Sequence, residues 1–378
     1  MSSQEAINGF KELFGYEPSG VWSAPGRANL IGEHTDYNNG FVFPFGIDRR
    51  TYVALSTRKD MNVRISSSFA DGVVEFELGK RKPKSLDWAL YPLGIAWVMR
   101  QHACCGFDAY ITSDVPVGAG LSSSAAIECA VAVALNDVWE AGIEPQKLAL
   151  IGQEAENDVV GAPTGIMDQT ASLLAKKDSA VLLDCKSLET ELVPLGLDSQ
   201  GLVVAVIDTK VAHRHSDGGY RVRREACEKG AKKMGVESLR ELSEEDLPAA
   251  QEILDDVTFR RCKHVITENR RVIAAVDALK RRDLATLGEL LLQSHASMRD
   301  DFEISVTELD VAVELAMEVG AVGARMTGGG FGGSAIAIID ESKMELLTEH
   351  CKAVFARKGF AEPNVFAVAP SDGARREA

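Results

Sequence analysis

Between residues 23 and 48 the chain reads SAPGRANLIGEHTDYNNGFVFPFGID. Arg27, Glu33, His34 and Asp36 crowd into ten residues there, between the breaker pairs Pro25-Gly26 and Asn39-Gly40. The segment predicts a turn-rich loop leading into a strand. A fold that accepts it must hold several ionisable groups against close-packed backbone. Ionised carboxylates offer only acceptors, which suits them to the hydroxyls of a polyhydroxylated substrate. A cation beside them can face a phosphate. The plainer alternative is a solvated polar loop.

A length of 378 residues exceeds one compact core and predicts two domains. The net charge of −15 argues against a nucleic-acid surface, which needs clustered Lys and Arg. Basic runs such as Arg221-Val222-Arg223-Arg224 are short and read as solvated helix faces. Seven cysteines without a CxxC pair indicate neither a zinc site nor a disulfide framework, and fit a reducing cytosol. The histidines, His213 and His215 among them, form no metal-ligand pattern and read as surface groups. The amphipathic, acid-bearing N-terminus lacks the basic-then-apolar order of a signal peptide, and no apolar stretch has bilayer length. A cytoplasmic protein with no membrane or nucleic-acid partner is expected.

Periodicity predicts helices over 4–14, 88–102, 122–141, 145–157 and after Gly165 in the first half. Strands are expected over 51–57, 62–68, 72–77, 107–113, 180–184 and 202–208. The second half reads as helices over 220–234, 249–255, 262–279, 285–298 and 305–319, then a strand over 334–339. The acidic stretch 237–246 reads as a surface connection, and polar turn residues near 196–201 place a boundary between domains 1–198 and 199–378.

Two glycine-rich loops stand out. DVPVGAGLSSSAA joins a strand to a helix, where Gly118 and Gly120 allow close backbone approach and Ser122, Ser123 and Ser124 sit at the helix start. Free N–H groups and partial positive charge there suit a phosphate. It is neither a Walker A loop, having no lysine, nor a dinucleotide turn, lacking the third glycine. A simple serine cap with turn glycines is the alternative. MTGGGFGGS, before the last expected strand, implies close approach to a ligand or another loop, or a hinge. Between these loops lie Glu156 and Asp168, separated by Gly161, Pro163 and Gly165. A helix-starting aspartate is commonly a cap, and Glu156 can be a solvated helix acid. Beside a phosphate loop, however, one carboxylate for Mg2+ and one for an attacking hydroxyl make a phosphoryl-transfer set.

These motifs, in this order, resemble those of the GHMP small-molecule kinase superfamily. GRANLIGEHTDYNNG is similar to the signature of its galactokinase family. The resemblance spans nearly the whole chain, through YRVRREAC, HVITENRR, Ser294-His295 and GARMTGGGFGG. It implies an α+β fold of two lobes, an N-terminal domain like ribosomal S5 domain 2 and a ferredoxin-like C-terminal domain, with the site between. It implies Asp168 and Arg27 as catalytic groups, and Glu33, His34, Thr35, Asp36, Gly165 and Tyr220 around the sugar. Gly118, Ala119, Gly120, Leu121, Ser122, Ser123 and Ser124 would hold ATP phosphates, with Ser67 a further nucleotide contact and Ser124 and Glu156 on Mg2+. Departures are Ala28 for valine, Thr164 for Cys or Ser, HSDGGY for a serine-rich approach to Tyr220, and Ser334 for cysteine.

The implied reaction is transfer of the ATP γ-phosphoryl group to the anomeric hydroxyl of α-D-galactose by a monomer. Arg27 would favour the charged form of Asp168, and Asp36 would read ring hydroxyls, the axial one included. Alternatives are a GHMP kinase for another sugar such as N-acetylgalactosamine, and a non-catalytic galactose- and ATP-binding regulator.

Overall fold

The computed structural model describes residues 1–80, 82–211 and 216–378. His213 and His215 lie outside the described residues. The chain opens with α1 (Ser3–Phe14), capped by the Ser2 hydroxyl on Glu5 N–H and ended by left-handed Gly15. Its buried Ala6 and Phe10, four positions apart, form the stripe that meets the first sheet. The first half continues with β1 (Gly20–Asn29), β2 (Phe41–Val42), β3 (Pro44–Thr57), β4 (Asn62–Ser67), β5 (Ala70–Glu77), α2 (Leu90–Val98), β6 (Phe107–Ser113), α3 (Ser123–Val138), α4 (Pro145–Glu154), α5 (Met167–Leu174), β7 (Ser179–Asp184) and β8 (Thr190–Pro194). The second half contains β9 (Leu202–Asp208), α6 (Ser216–Met234), α7 (Leu247–Ile253), α8 (Asp256–Lys280), α9 (Leu284–Asp300), α10 (Thr307–Glu318), β10 (Gly323–Thr327), β11 (Ser334–Asp340), α11 (Met344–Lys358), β12 (Asn364–Val368) and β13 (Arg375–Arg376).

The first sheet has the order β13-β1-β3-β6-β4-β5, with β4 and β6 parallel and the other pairs antiparallel. Helices α2 and α3 share a core with it. The second sheet, β10-β11-β9-β12, is antiparallel throughout. Helices separate β9 from β10 and β11 from β12, the ferredoxin-like arrangement expected. A small sheet, β2-β7-β8, stands beside them. One apolar cluster joins Leu30, Phe43 and Leu121 from the first half to Val206, Val272 and Ile336 from the second. That shared core holds the charged segment against the second glycine loop.

The loop expected over 23–48 is mostly strand. β1 runs through Pro25-Gly26 to Asn29, and all ten of its residues are buried. Proline in a strand normally breaks the ladder, but here the β1–β3 register shifts between Pro25 and Arg27. At that bulge Arg27 N–H leaves the ladder and donates to Leu121 O at 3.0 Å. The helix expected over 88–102 is α-helical only over α2, with tighter turns on both sides. α8 begins six residues before the expected 262, because Asp255 caps it by accepting from Thr258 N–H at 3.0 Å. The acidic connection 237–246 holds two short helical turns with capping boxes, Ser238 with Glu241 and Ser243 with Asp246.

Candidate active site

The elements converge on a cavity of about 400 Å³. Its walls come from the end of β1, the 33–36 turn, the loop before α3, Glu156 in the turn after α4, the start of α5 with residues 164 and 165 before it, Tyr220 on α6 and the 328–330 glycines. Arg27 reaches in from the bulge. Its Nε and Nη2 donate to Oδ1 and Oδ2 of Asp168 at 2.8 and 2.9 Å, and Nη1 donates to Gly120 O at 2.6 Å. This fork-on-carboxylate pairing fixes the plane of Asp168. Asp168 stands in the first turn of α5 and stays a quarter exposed to the cavity.

Ser122 was expected at the helix start, and the helix begins one residue later. Ser122 takes a left-handed conformation, φ 54°, makes no capping bond, and donates its hydroxyl to Asp168 Oδ2. The strain of that conformation aims the hydroxyl at the carboxylate. Gly120 has φ 73°, and a Cβ there would meet Thr327 O at 3.1 Å. Ser334 Oγ–H donates to Ala119 O at 2.7 Å. The two glycine loops therefore pack on each other, which accounts for part of their glycine density.

Behind this pair, Glu156 sits on a single π-helical turn (Ala155–Val160), a feature that re-aims side chains inside helices. Ser124 Oγ–H donates to its Oε1 at 3.3 Å; Thr164 Oγ–H and Gln169 Nε2–H donate to Oε2 at 2.7 and 2.9 Å. Burial, and then the charge of Asp168, push the Glu156 carboxyl up. A hydroxyl and a carboxylate facing one cavity are the hard oxygen donors that a small divalent cation takes, so the residues fit such an ion.

Asp36 accepts from Tyr37 N–H at 2.9 Å and faces Gly165. Burial, and then Asp168, raise it to about 6. His34 is buried, and burial holds it near 3, so it is a neutral imidazole. Its Nε2–H donates to Gly329 O at 3.2 Å, which leaves Nδ1 to accept from the Tyr37 hydroxyl at 2.8 Å. His34 and Tyr220 lie face to tilted face, with ring centroids 4.9 Å apart.

Three family models match the chain: the galactokinase galactose-binding signature over residues 8–57, the GHMP kinase N-terminal domain over 91–176 and the GHMP kinase C-terminal domain over 275–357. A galactokinase of Streptomyces coelicolor is 47% identical over 373 residues, 97% of this chain and 96% of that protein. This chain belongs to the galactokinase family. A galactokinase of Streptomyces lividans is 41% identical, over 98% of this chain and 94% of its own. The crystal structure of Lactococcus lactis galactokinase complexed with galactose superposes with a TM-score of 0.94 at 33% identity, over 98% of each chain. Methanococcus jannaschii mevalonate kinase, at 15% identity and a TM-score of 0.67 over 93% of this chain and 98% of its own, shares the fold. The chain is thus a sugar kinase of the GHMP class, as the resemblance implied. No helix among the described residues is long and apolar enough to cross a membrane.

In this galactokinase-family site, Arg27, Asp36, Gly165, Asp168, Tyr220, Gly118, Gly120, Leu121, Ser122, Ser123, Ser124 and Glu156 line one cavity. Glu33 and His34 border it too, but Glu33 spends its carboxylate inward: Arg325 Nη2 and Asn29 Nδ2 donate to Oε2 at 2.5 and 2.7 Å, Gly328 N–H to Oε1 at 2.9 Å. Thr35 is not on the wall; its hydroxyl lies 2.9 Å from Gly32 O and 2.6 Å from Phe41 O and shapes the turn. Ala119 and Ser67, the latter at the end of β4, are buried and are not on the wall. Sequence reasoning missed Arg325, Gln169 and Glu128. Arg325 had one signal, a lone cation in a strand whose other residues are apolar or small and which is buried along its whole length.

Proposed function

We propose that this chain transfers the γ-phosphoryl group of ATP to the anomeric hydroxyl of α-D-galactose, giving galactose 1-phosphate and ADP. The observation that carries the reading is the convergence of Asp36, Asp168 and the start of α3 on one cavity. Asp168 orients the attacking hydroxyl and takes its proton. Its two oxygens are held by Arg27, so its position is fixed before substrate arrives. A loose transition state asks for alignment more than for a strong base. The free N–H groups at the start of α3 and the Gly118 and Gly120 backbone meet the phosphates. Ser124 and Glu156 would hold Mg2+, which when bound neutralises phosphate charge. The cavity is built within one chain, which supports action as a monomer. We also take residues 1–198 and 199–378 as the two lobes, and the cytoplasm as the place of action.

The deciding experiment is ADP release with galactose, N-acetylgalactosamine and glucose as acceptors. Release with galactose at enzymatic rates, far above the other two, is expected. Equal or faster release with N-acetylgalactosamine would transfer the assignment to that sugar, and no sugar-dependent release would leave a regulator.

Asp36 gives this site a pH dependence. Ionised, its carboxylate only accepts, as sugar hydroxyls require; protonated, it gives up acceptor capacity and the negative charge, and burial raises it to about 6. Galactose affinity is therefore full above that pH and falls as pH drops through it, by at most about 10-fold per unit below. Calorimetry from pH 8 to 5 reads this directly. Asp36→Asn should bind weakly and flatten the profile; an unchanged profile in that variant removes Asp36 from sugar recognition.

A Cβ on Gly165 would collide with the Asp36 carboxylate. Misplacing a substrate-holding group by about 1 Å costs on the order of 10²-fold. Gly165→Ala should lower kcat/KM for galactose by about that factor while the KM for ATP stays put. Unaltered galactose kinetics would show that the carboxylate has room to move.

A further inference from the structure

Glu128 lies in the middle of α3 and is fully buried. Among the described residues no cation pairs with it. Its one hydrogen-bond partner is Gln169, whose Nε2 donates to Oε2 at 2.9 Å, and its Oε1 has no partner. The same amide nitrogen donates to Glu156 Oε2, also at 2.9 Å. One NH2 group has two protons, and here each goes to a different carboxyl group. Gln169 Oε1 is itself unpartnered, so nothing else dictates which way the amide faces. A flipped amide would set its carbonyl oxygen against Glu156 Oε2, which also accepts from Thr164.

A buried carboxyl with a single partner is a poor stabiliser, and an apolar side chain of similar volume serves packing at least as well. Its effect is geometric. Gln169 and Thr164 together occupy Glu156 Oε2, and this leaves Oε1 beside Ser124 on the cavity side. We infer that Glu128 is a positioning residue for the cation-holding carboxylate: it orients Gln169, and Gln169 selects which oxygen of Glu156 faces the site. The inference rests on Glu156 being the carboxylate that holds the cation. Groups standing behind a metal ligand commonly change metal affinity by about 10- to 100-fold when removed.

Mn2+ binding to the enzyme with ADP, followed by electron paramagnetic resonance and corrected for ADP alone, tests it without turnover. Glu128→Leu should weaken Mn2+ binding by about 10- to 100-fold, with galactose affinity by calorimetry unchanged. Gln169→Leu should do the same and serves if the first variant folds poorly. Glu128→Gln keeps a carbonyl acceptor for Gln169 and should restore binding. Equal losses in Glu128→Leu and Glu128→Gln would mean a packing role and overturn the inference. So would wild-type Mn2+ affinity in Glu128→Leu while Glu156→Gln loses it. Wild-type affinity in Glu156→Gln would overturn the reading beneath the inference, leaving galactose-dependent ADP release as a separate question.

Discussion

Asp168→Ala is expected to lower kcat for galactose by about 10³-fold or more, within the range that a positioned acid–base group contributes. The carboxylate is the one acidic group in the cavity that two donors of Arg27 hold in a fixed plane. Ser122, strained at φ 54°, adds a third bond to it. With alanine there, the guanidinium keeps only Gly120 O, and the sugar hydroxyl has no acceptor facing the phosphates. The sugar contacts proposed for Asp36 and Tyr220 remain, so galactose binding should weaken but stay measurable by calorimetry. Asp168→Asn keeps the shape and removes the proton acceptor. If Asn retains most of the rate while Ala does not, alignment is the main contribution; if both fall together, proton transfer is. Wild-type turnover in Asp168→Ala removes Asp168 from the mechanism.

Arg325→Met should destabilise the fold by about 3–5 kcal/mol, the usual cost of leaving a buried charge without its partner. Arg325 is fully buried on β10. Its Nη1 donates to Asn29 O and Leu30 O at 3.2 and 3.1 Å, and its Nη2 to Glu33 at 2.5 Å. It thus ties the end of β1 to the strand that leads into the second glycine loop. Burial already raises Glu33, and Arg325 is the strongest influence in the other direction. Glu268, which burial alone would raise, is brought down to about 2 by Arg271, His264 and Arg325. Methionine fills much of the space but leaves Glu33 with neutral donors only. Urea midpoints should show the loss, and the double variant Arg325→Met with Glu33→Gln should recover part of it. A single variant within about 0.5 kcal/mol of wild type would place it among ordinary surface changes and deny the network its structural role.

The chemistry of the site was legible where it is concentrated in short runs. Arg27 and Asp36 fall in one segment, and Gly118 to Ser124 in another, so residue type and spacing sufficed. Asp168 was legible through its place after three breakers. What stayed hidden depends on distant partners. Arg325 and Glu33 are 292 residues apart, and Glu128 and Gln169 are 41 apart. Arg325 lies between Ala324 and Met326, and Glu128 between Ile127 and Cys129, so local pattern marks those two only as oddities. β1 was misread for the opposite reason. Pro25-Gly26 is a sound local turn signal, but a bulge absorbs the missing N–H, and that accommodation is visible only once β3 is alongside. Glu33 shows the limit of motif reading: the charge was found, but whether it faces ligand or core depends on a cation from the other end of the chain.

The most direct measurement is a crystal structure with galactose and a non-hydrolysable ATP analogue. The expected result has the anomeric oxygen within hydrogen-bond distance of Asp168, ring hydroxyls on Asp36, and the γ-phosphate over the start of α3 in line with that oxygen. Galactose bound elsewhere, or with its anomeric carbon turned away from Asp168 and the phosphates, would contradict the account.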